Sequence, residues 1–302
     1  FEVDVLIAEL EYKLYRSVFY SKGEIYITLE EFKAQLLKIK TILIERNQSL
    51  YLDELEALLI KVNLFGFHFA SLDIRQNSKI HDAVFKDVVQ FYLNSNSNLF
   101  PNNYFELSEN EKFDVLAKVK GNINSDVFDN EITRSTLESI KAIKQIQENN
   151  GESGSNRYII SNNESALNVM ETFALFKLNN WDEISVDIIP LFESVDDLKN
   201  AHVIMEKLYS NPVYVEYLAS RNSKQVIMLG FSDGTKDGGY LMANWSIYKA
   251  KEELTSMSRK YGIKVIFFDG RGGPPARGGG KTHKFYASLG SNIENNEIQI
   301  TI

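Results

Sequence analysis

Four short segments place charged or polar side chains directly after apolar runs. They are Asp73-Ile74-Arg75-Gln76, Phe192-Glu193-Ser194, Ser232-Asp233-Gly234-Thr235-Lys236-Asp237, and the stretch from Asp269 through Arg271, Arg277 and Lys281 to His283. Glu193 and Asp233 are carboxylates that each follow an apolar run immediately. Two such carboxylates at neighbouring strand ends can hold one hard cation, Mg²⁺ or Mn²⁺, and leave coordination sites for substrate oxygens and water. The bland alternatives are a helix-start contact for Glu193, since Ser194-Val195-Asp196-Asp197 already forms a cap, and a turn position for Asp233 in Ser-Asp-Gly. Arg75 lies two residues after Asp73, so a local ion pair competes with any substrate role. Lys236 and Asp237 could simply pair with each other.

The last segment is rich in glycine. Six of the chain's 17 glycines lie between Gly270 and Gly280. Glycine lets backbone N–H groups approach an anion, and the planar fork of arginine suits phosphate or carboxylate. A Walker-type loop would need glycine five residues before Gly280, and that position is Pro275. The two Arg-Gly-Gly triplets also suggest an RNA-binding segment, but Val265-Ile266-Phe267-Phe268 leads in and Phe285-Tyr286 follows, which ties the loop to a fold. The remaining alternative is a loop with incidental arginines. His68, His81 and His202 have no metal-like spacing and read as structural; His283 lies just past the glycines.

These segments need a scaffold that brings strand ends together. The first 65 residues read as helices, with a capping box at Thr28-Leu29-Glu30-Glu31. The period changes at Gly66 to Ile74, which reads as a strand. Helices return near Ile80 and at about Glu131 to Gln147, with a second capping box at Ser108-x-x-Glu111. After the loop Asn149–Asn156 the chain alternates. Strands read at about Arg157–Ser161, Val186–Phe192, Gln225–Phe231 and Lys264–Phe268. Helices read at about Ser165–Phe176, Val195–Leu208, Val213–Ala219 and Leu241–Tyr261. Apolar runs of strand length separated by amphipathic helices predict a parallel sheet covered on both faces. The expected class is α/β, an incomplete (β/α)₈ barrel with large additional helical content: a helical segment at 1–65, then a partial barrel at 66–302 with a helical insertion at about 79–150. Functional side chains in such folds sit at the C-terminal strand ends, where all four segments fall.

Composition narrows the classes. The 302 residues are 44% hydrophobic and 25% charged, ordinary for a globular protein. No cysteine is present, which excludes disulfide scaffolds, thiol nucleophiles and iron–sulfur clusters. Thirty-three basic residues against 41 acidic give a net charge of -8, so there is no global basic footprint for nucleic acid. No stretch approaches the length of a membrane span and the N-terminus does not resemble a signal peptide, so the expectation is a cytoplasmic protein with no membrane partner. The first residue is Phe and the last five, Ile298 to Ile302, read as the middle of a strand, so the expectation is a fragment cut at both ends.

Taken together, Phe69-Ala70-Ser71-Leu72-Asp73-Ile74-Arg75-Gln76, Ile189 to Leu198, Met228 to Tyr240, and Gly270-Arg271-Gly272-Gly273 with Arg277-Gly278-Gly279 resemble phosphoenolpyruvate carboxylase. The pieces occur in that family's order and cover most of the chain from about Gly66 onward. The resemblance implies an enlarged (β/α)₈ barrel in a cytoplasmic homotetramer under allosteric control, with a place beside the tricarboxylic acid cycle. It implies a lyase that fixes carbon dioxide: phosphoenolpyruvate and bicarbonate give oxaloacetate and phosphate through carboxyphosphate and pyruvate enolate, with Mg²⁺ or Mn²⁺. On matching positions it implies Glu193 and Asp233 as metal ligands and Arg75 with Gln76 at the substrate. Arg271 would hold phosphate and carbon dioxide near the enolate, and Lys236 would lie near bicarbonate. Arg277 would be the second loop arginine, which also senses the candidate inhibitor aspartate.

The chain departs from the family pattern in three places. Asp269 stands where the family loop carries histidine, which places a negative charge beside an anion site. Pro274-Pro275-Ala276 is an unusual spacer of unchanged length. The Thr-Ala-His-Pro-Thr-Glu segment that carries the family's catalytic histidine, and the family's C-terminal part, are not in this sequence. The expectation is therefore a carboxylase as the parent protein, with the 302-residue piece inactive alone. The alternative is a non-catalytic relative that binds anionic metabolites in the same pocket.

Overall fold

The structure is a computed structural model that describes residues 2–20, 26–95, 97–270 and 280–301. The chain divides into two compact units. The first comprises Phe1–Leu72 and Ala142–Asn156, the second Asp73–Lys141 and Arg157–Ile302.

The first unit is helical. It contains α1 (Glu2–Phe19), α2 (Leu29–Arg46) and α3 (Leu52–Phe65). Thr28 starts α2 through a reciprocal capping box: its Oγ1 accepts from the Glu31 amide at 3.2 Å, and Glu31 Oε2 accepts from the Thr28 amide at 2.9 Å. The apolar stripe of α2, with Phe32, Leu36, Ile39 and Leu43, packs against Leu55, Leu59 and Val62 of α3 and Leu10 of α1.

The strand expected from Gly66 is not there. Gly66 takes φ +50° and ends α3, and Phe69 also has positive φ. The apolar residues that suggested a strand serve local packing instead: Phe67 lies against Phe32 at 5.7 Å and Phe69 stacks on Phe65 at 5.3 Å. Extended pairing starts only at Asp73.

The second unit is built on a six-stranded parallel sheet in sequential order: β1 (Asp73–Asn77), β2 (Arg157–Ser161), β3 (Asp187–Phe192), β4 (Lys224–Leu229), β5 (Lys264–Asp269) and β6 (Ile298–Ile300). Sequential order without reversal is the order of a singly wound barrel rather than a doubly wound sheet. The six strands form a half-barrel. The stretch near the end that reads as strand takes part: Ile298–Ile300 pairs with β5. Between β1 and β2 run α4 (Ser78–Asn94), α5 (Glu109–Leu116) and α6 (Glu131–Asn150); α6 belongs to both units. The later crossovers are α7 (Ala166–Leu178), α8 (Val195–Tyr209), α9 (Pro212–Ser220), α10 (Ser232–Lys260) and α11 (Thr282–Ala287).

Strand alternation separates two faces. Ile159, Ile189, Leu191, Val226, Met228, Ile266 and Phe268 form one buried cluster that runs across register-paired positions of β2 to β5. The other face packs on helices: Tyr158 meets Phe176 of α7 edge-on at 5.3 Å, and Tyr217 of α9 donates to the Val186 carbonyl at 2.7 Å. Such two-sided burial explains why these strands read as continuous apolar runs.

Helix α10 starts nine residues earlier than expected. Ser232 to Gly238 is helical, and the chain breaks at Gly239 with φ 80° and ψ 171° before continuing. The glycines at 234, 238 and 239 lower intrinsic helix propensity, so this turn was not legible as helix. Among the described residues no helix is long and apolar enough to cross a membrane.

Candidate functional site

Because β1 to β5 are parallel, Asn77, Asn162, Glu193, Gly230 and Gly270 all emerge on one side of the sheet. Glu193 is the first residue after β3 and is half-buried. The cap of α8 leaves it free. Ser194 Oγ accepts from the Asp197 amide at 3.0 Å, and Asp197 Oδ2 accepts from the Ser194 amide at 3.0 Å, so the capping box is complete without Glu193.

Burial raises the Glu193 carboxyl above its ordinary pKa, and the negative charges of Asp233 and Asp197 add to that; Arg75 and a backbone hydrogen bond from Asn162 pull it down. Charges on β1 and in the first turns of α8 and α10 therefore act on one carboxylate. Two glycines allow the close approach. A Cβ on Gly230 would lie 3.2 Å from both Cα and Cγ of Glu193, and one on Gly234 would lie 3.3 Å from the Glu193 carbonyl. The Gly230 amide donates to the Phe192 carbonyl at 2.8 Å, which clamps the ends of β3 and β4 together.

Asp233 lies in the first turn of α10 and is exposed. Lys236 donates to Asp233 Oδ1 at 2.8 Å. The bland alternative, a pair of Lys236 with Asp237, is not what forms: Asp237 Oδ2 accepts from the Val195 amide at 3.1 Å, at the start of α8.

Arg75 is exposed at 3.9 Å from Asp73, whose nearer partner is Arg157 at 2.5 Å. Asp73 is held by the residue opposite it on β2, and the Arg75 guanidinium is only loosely tied. Gln76 alternates to the other face of β1, and its Oε1 accepts from the Asn77 amide at 2.9 Å. Arg75 and Glu193 are thus electrostatically linked, while the Gln76 amide turns back on its own backbone.

Arg271 and Arg277 lie outside the described residues. Asp269, just before them, is buried. It does not add an open negative charge to the strand ends, as its place in the sequence suggested. Lys251 of α10, itself 2% exposed at its side chain, lies 2.8 Å from the Asp269 carboxylate, and Tyr286 of α11 donates to Oδ2 at 2.7 Å. His283 is exposed on α11. His81 is buried between Tyr158 and Thr172, and His202 faces Glu253 at 3.1 Å, so both do structural work.

Sequence reasoning passed over the end of β2. Asn162 has φ 54°, accepts from Ser78 Oγ through its carbonyl and donates its amide to Glu193. Asn163 is fully buried and its amide donates to the Leu191 carbonyl at 3.3 Å. The available signal was position alone: Asn162-Asn163 directly follows an apolar strand, as the other segments do.

Among the described residues no group of three or more His, Asp or Glu side chains could hold a metal ion. The carboxylates at the strand ends that could hold one are Glu193 and Asp233. That set suits Mg²⁺ or Mn²⁺, which are commonly held by one or two carboxylates with the remaining positions left to substrate oxygens and water. Relief of the like-charge crowding at Glu193 would favour such a cation.

The family model for phosphoenolpyruvate carboxylase matches residues 8–302, nearly the whole chain. The match covers the whole of the parallel half-barrel described above, and the chain belongs to the phosphoenolpyruvate carboxylase family.

Proposed function

We propose that this chain forms part of the catalytic barrel of a cytoplasmic, metal-dependent carboxylase that makes oxaloacetate and phosphate from phosphoenolpyruvate and bicarbonate. The reading rests on one observation: the half-buried Glu193 at the end of β3 packs directly against Gly230 and Gly234, the glycines that flank the first turn of α10 and its Asp233. Glu193 and Asp233 would hold Mg²⁺ or Mn²⁺, which when bound supplies positive charge to the phosphoryl and enolate oxygens. Arg75, exposed and only loosely paired, is free to turn its fork to the substrate phosphate. Gln76, whose Oε1 accepts from the Asn77 amide, would offer substrate its Nε2 donors.

Attack of bicarbonate on the phosphoryl group would give carboxyphosphate and the enolate of pyruvate, and carbon dioxide released in the pocket would then meet the enolate. Lys236, already on Asp233, is within reach of an anion beside that carboxylate and is assigned to bicarbonate. Arg271 and Arg277 would stabilise the charge that moves from phosphate to enolate. Closure of the half-barrel to eight strands, assembly into a homotetramer and inhibition by aspartate belong to the same reading. The alternative, a non-catalytic anion binder, drew on an open charge at Asp269, and that charge is paired with Lys251.

The test is oxaloacetate formation by the full-length protein and its Glu193→Gln variant. The expected result is metal-dependent activity that falls by about a hundredfold or more when the carboxylate is lost. Undiminished activity in the variant would remove Glu193 from the metal site, and an inactive wild type that still binds phosphoenolpyruvate would favour the non-catalytic reading.

A further inference from the structure

Glu193 follows the last residue of β3, and the two carbonyls just before it are held by amides from the neighbouring strand ends. β2 and β3 pair from Arg157 opposite Asp187 to Ile160 opposite Pro190. Pro190 has no N–H with which to extend that ladder, and β3 then pairs with β4 at Leu191 and Phe192. Past Pro190 the link to the β2 side is carried by the Asn163 amide, which donates to the Leu191 carbonyl at 3.3 Å. The Gly230 amide holds the Phe192 carbonyl at 2.8 Å from the β4 side.

The Asn163 N–H shares one rigid peptide plane with the Asn162 carbonyl, so whatever fixes that carbonyl also aims the amide. Asn162 has φ 54°, a left-handed conformation that asparagine tolerates but does not prefer. Ser78, the first residue of α4 and 2% exposed, donates its Oγ to the Asn162 carbonyl and accepts from Asn162 Nδ2 at 3.4 Å. The start of α4 does not need this hydroxyl, because Asn77 Oδ1 already caps it by accepting from the Lys79 amide at 2.9 Å. We propose that Ser78 is a positioning residue for Glu193: by holding the 162–163 peptide at its carbonyl it aims the opposite N–H at Leu191, and so sets the end of β3 from which the Glu193 carboxylate projects. The linkage stands on geometry alone; its effect on metal binding and turnover rests on the carboxylase reading above.

The experiment compares full-length wild type with Ser78→Ala, which removes the donor, and Ser78→Thr, which keeps it. The readouts are calorimetric titration with Mn²⁺, oxaloacetate formation, thermal unfolding, and hydrogen exchange followed by mass spectrometry over residues 162–165 and 191–195. In Ser78→Ala the expected result is Mn²⁺ affinity and kcat/KM lower by about tenfold at a Tm within a few degrees of wild type, with exchange faster by about tenfold in both stretches. Ser78→Thr should recover all three to within about threefold. A lowered Tm with wild-type Mn²⁺ affinity and turnover, faster exchange confined to 162–165, or a threonine variant no better than the alanine variant would overturn the positioning role. If wild type binds no Mn²⁺ and makes no oxaloacetate, the carboxylase reading fails instead, and exchange still decides the linkage: acceleration that reaches 191–195 in Ser78→Ala but not in Ser78→Thr supports it, and any other pattern refutes it.

Discussion

Gly230→Ala tests how tightly β3 and β4 must approach to place Glu193. The new Cβ would stand 3.2 Å from Cα and Cγ of Glu193 and 3.4 Å from the Phe192 carbonyl. Comfortable carbon–carbon contact begins at about 3.5–4.0 Å, so the end of β3 must move by roughly 0.3–0.5 Å. It cannot slide freely, because the Gly230 amide is bonded to Phe192 at 2.8 Å and Glu193 leads directly into the capped start of α8. Overpacking of this kind costs about 1–3 kcal/mol, which corresponds to a Tm lower by a few degrees in a protein of this size. The functional effect should be larger in proportion. Displacement of the carboxylate proposed to hold the metal by a fraction of an ångström is expected to weaken Mn²⁺ binding and kcat/KM for oxaloacetate formation by about tenfold, since a full ångström can cost a hundredfold. Calorimetric titration with Mn²⁺ and a coupled oxaloacetate assay on the full-length protein measure both. A variant with lowered Tm but wild-type Mn²⁺ affinity and turnover would refute the claim that this glycine exists to seat Glu193.

The remaining predictions concern charge. Glu171 on α7 is 4% exposed, and burial followed by the nearby Asp82 pushes its carboxyl up to about 8, while burial pulls His81 down to about 4. A raised folded-state carboxyl contributes stability below its unfolded pKa that is lost as pH rises toward 8; a depressed histidine loses stability as pH falls from its unfolded value toward 4. The two oppose each other between about pH 4.5 and 6.5, and above that only Glu171 acts. Stability should then fall by about 2 kcal/mol from pH 6.5 to 8. Thermal melts of Glu171→Gln should be nearly flat over that interval, and a slope equal to wild type would reject the buried, protonated carboxyl. Lys236→Met removes the exposed partner of Asp233. Thermal unfolding should be unchanged because exposed pairs add little to stability, while the KM for bicarbonate should rise several-fold; an unchanged KM would detach Lys236 from bicarbonate.

Much of the second unit could be read from periodicity, and the reason is burial. Arg157–Ser161 was bounded correctly, and β3, β4 and β5 to within two residues, because both sheet faces are covered and the runs are uniformly apolar. The error at Gly66 arose from the same signal. Phe67 and Phe69 are apolar for local aromatic packing, and a run of that length does not distinguish a strand from a turn. The start of α10 was hidden because helix propensity is poor at Gly234, Gly238 and Gly239, whereas tertiary contact with Glu193 fixes that turn.

At the site, the strand-end rule alone placed Glu193 and Asp233, since parallel strands carry their C-terminal residues to one side. What could not be read was partnership. Whether Asp237 meets Lys236 or the amide of Val195 depends on how α8 packs beside α10. Whether Asp269 faces an anion or a lysine depends on Lys251, 18 residues earlier and inward on α10. Asn162 was missed because its contribution is a backbone amide, which no residue type announces.

Binding of Mn²⁺ to the full-length protein, followed by electron paramagnetic resonance in the presence of phosphoenolpyruvate, tests the shared carboxylate site most directly. The account predicts one tightly bound Mn²⁺ per chain, lost or weakened by at least about tenfold in Glu193→Gln and again in Asp233→Asn. Wild-type occupancy and affinity in both variants would contradict it.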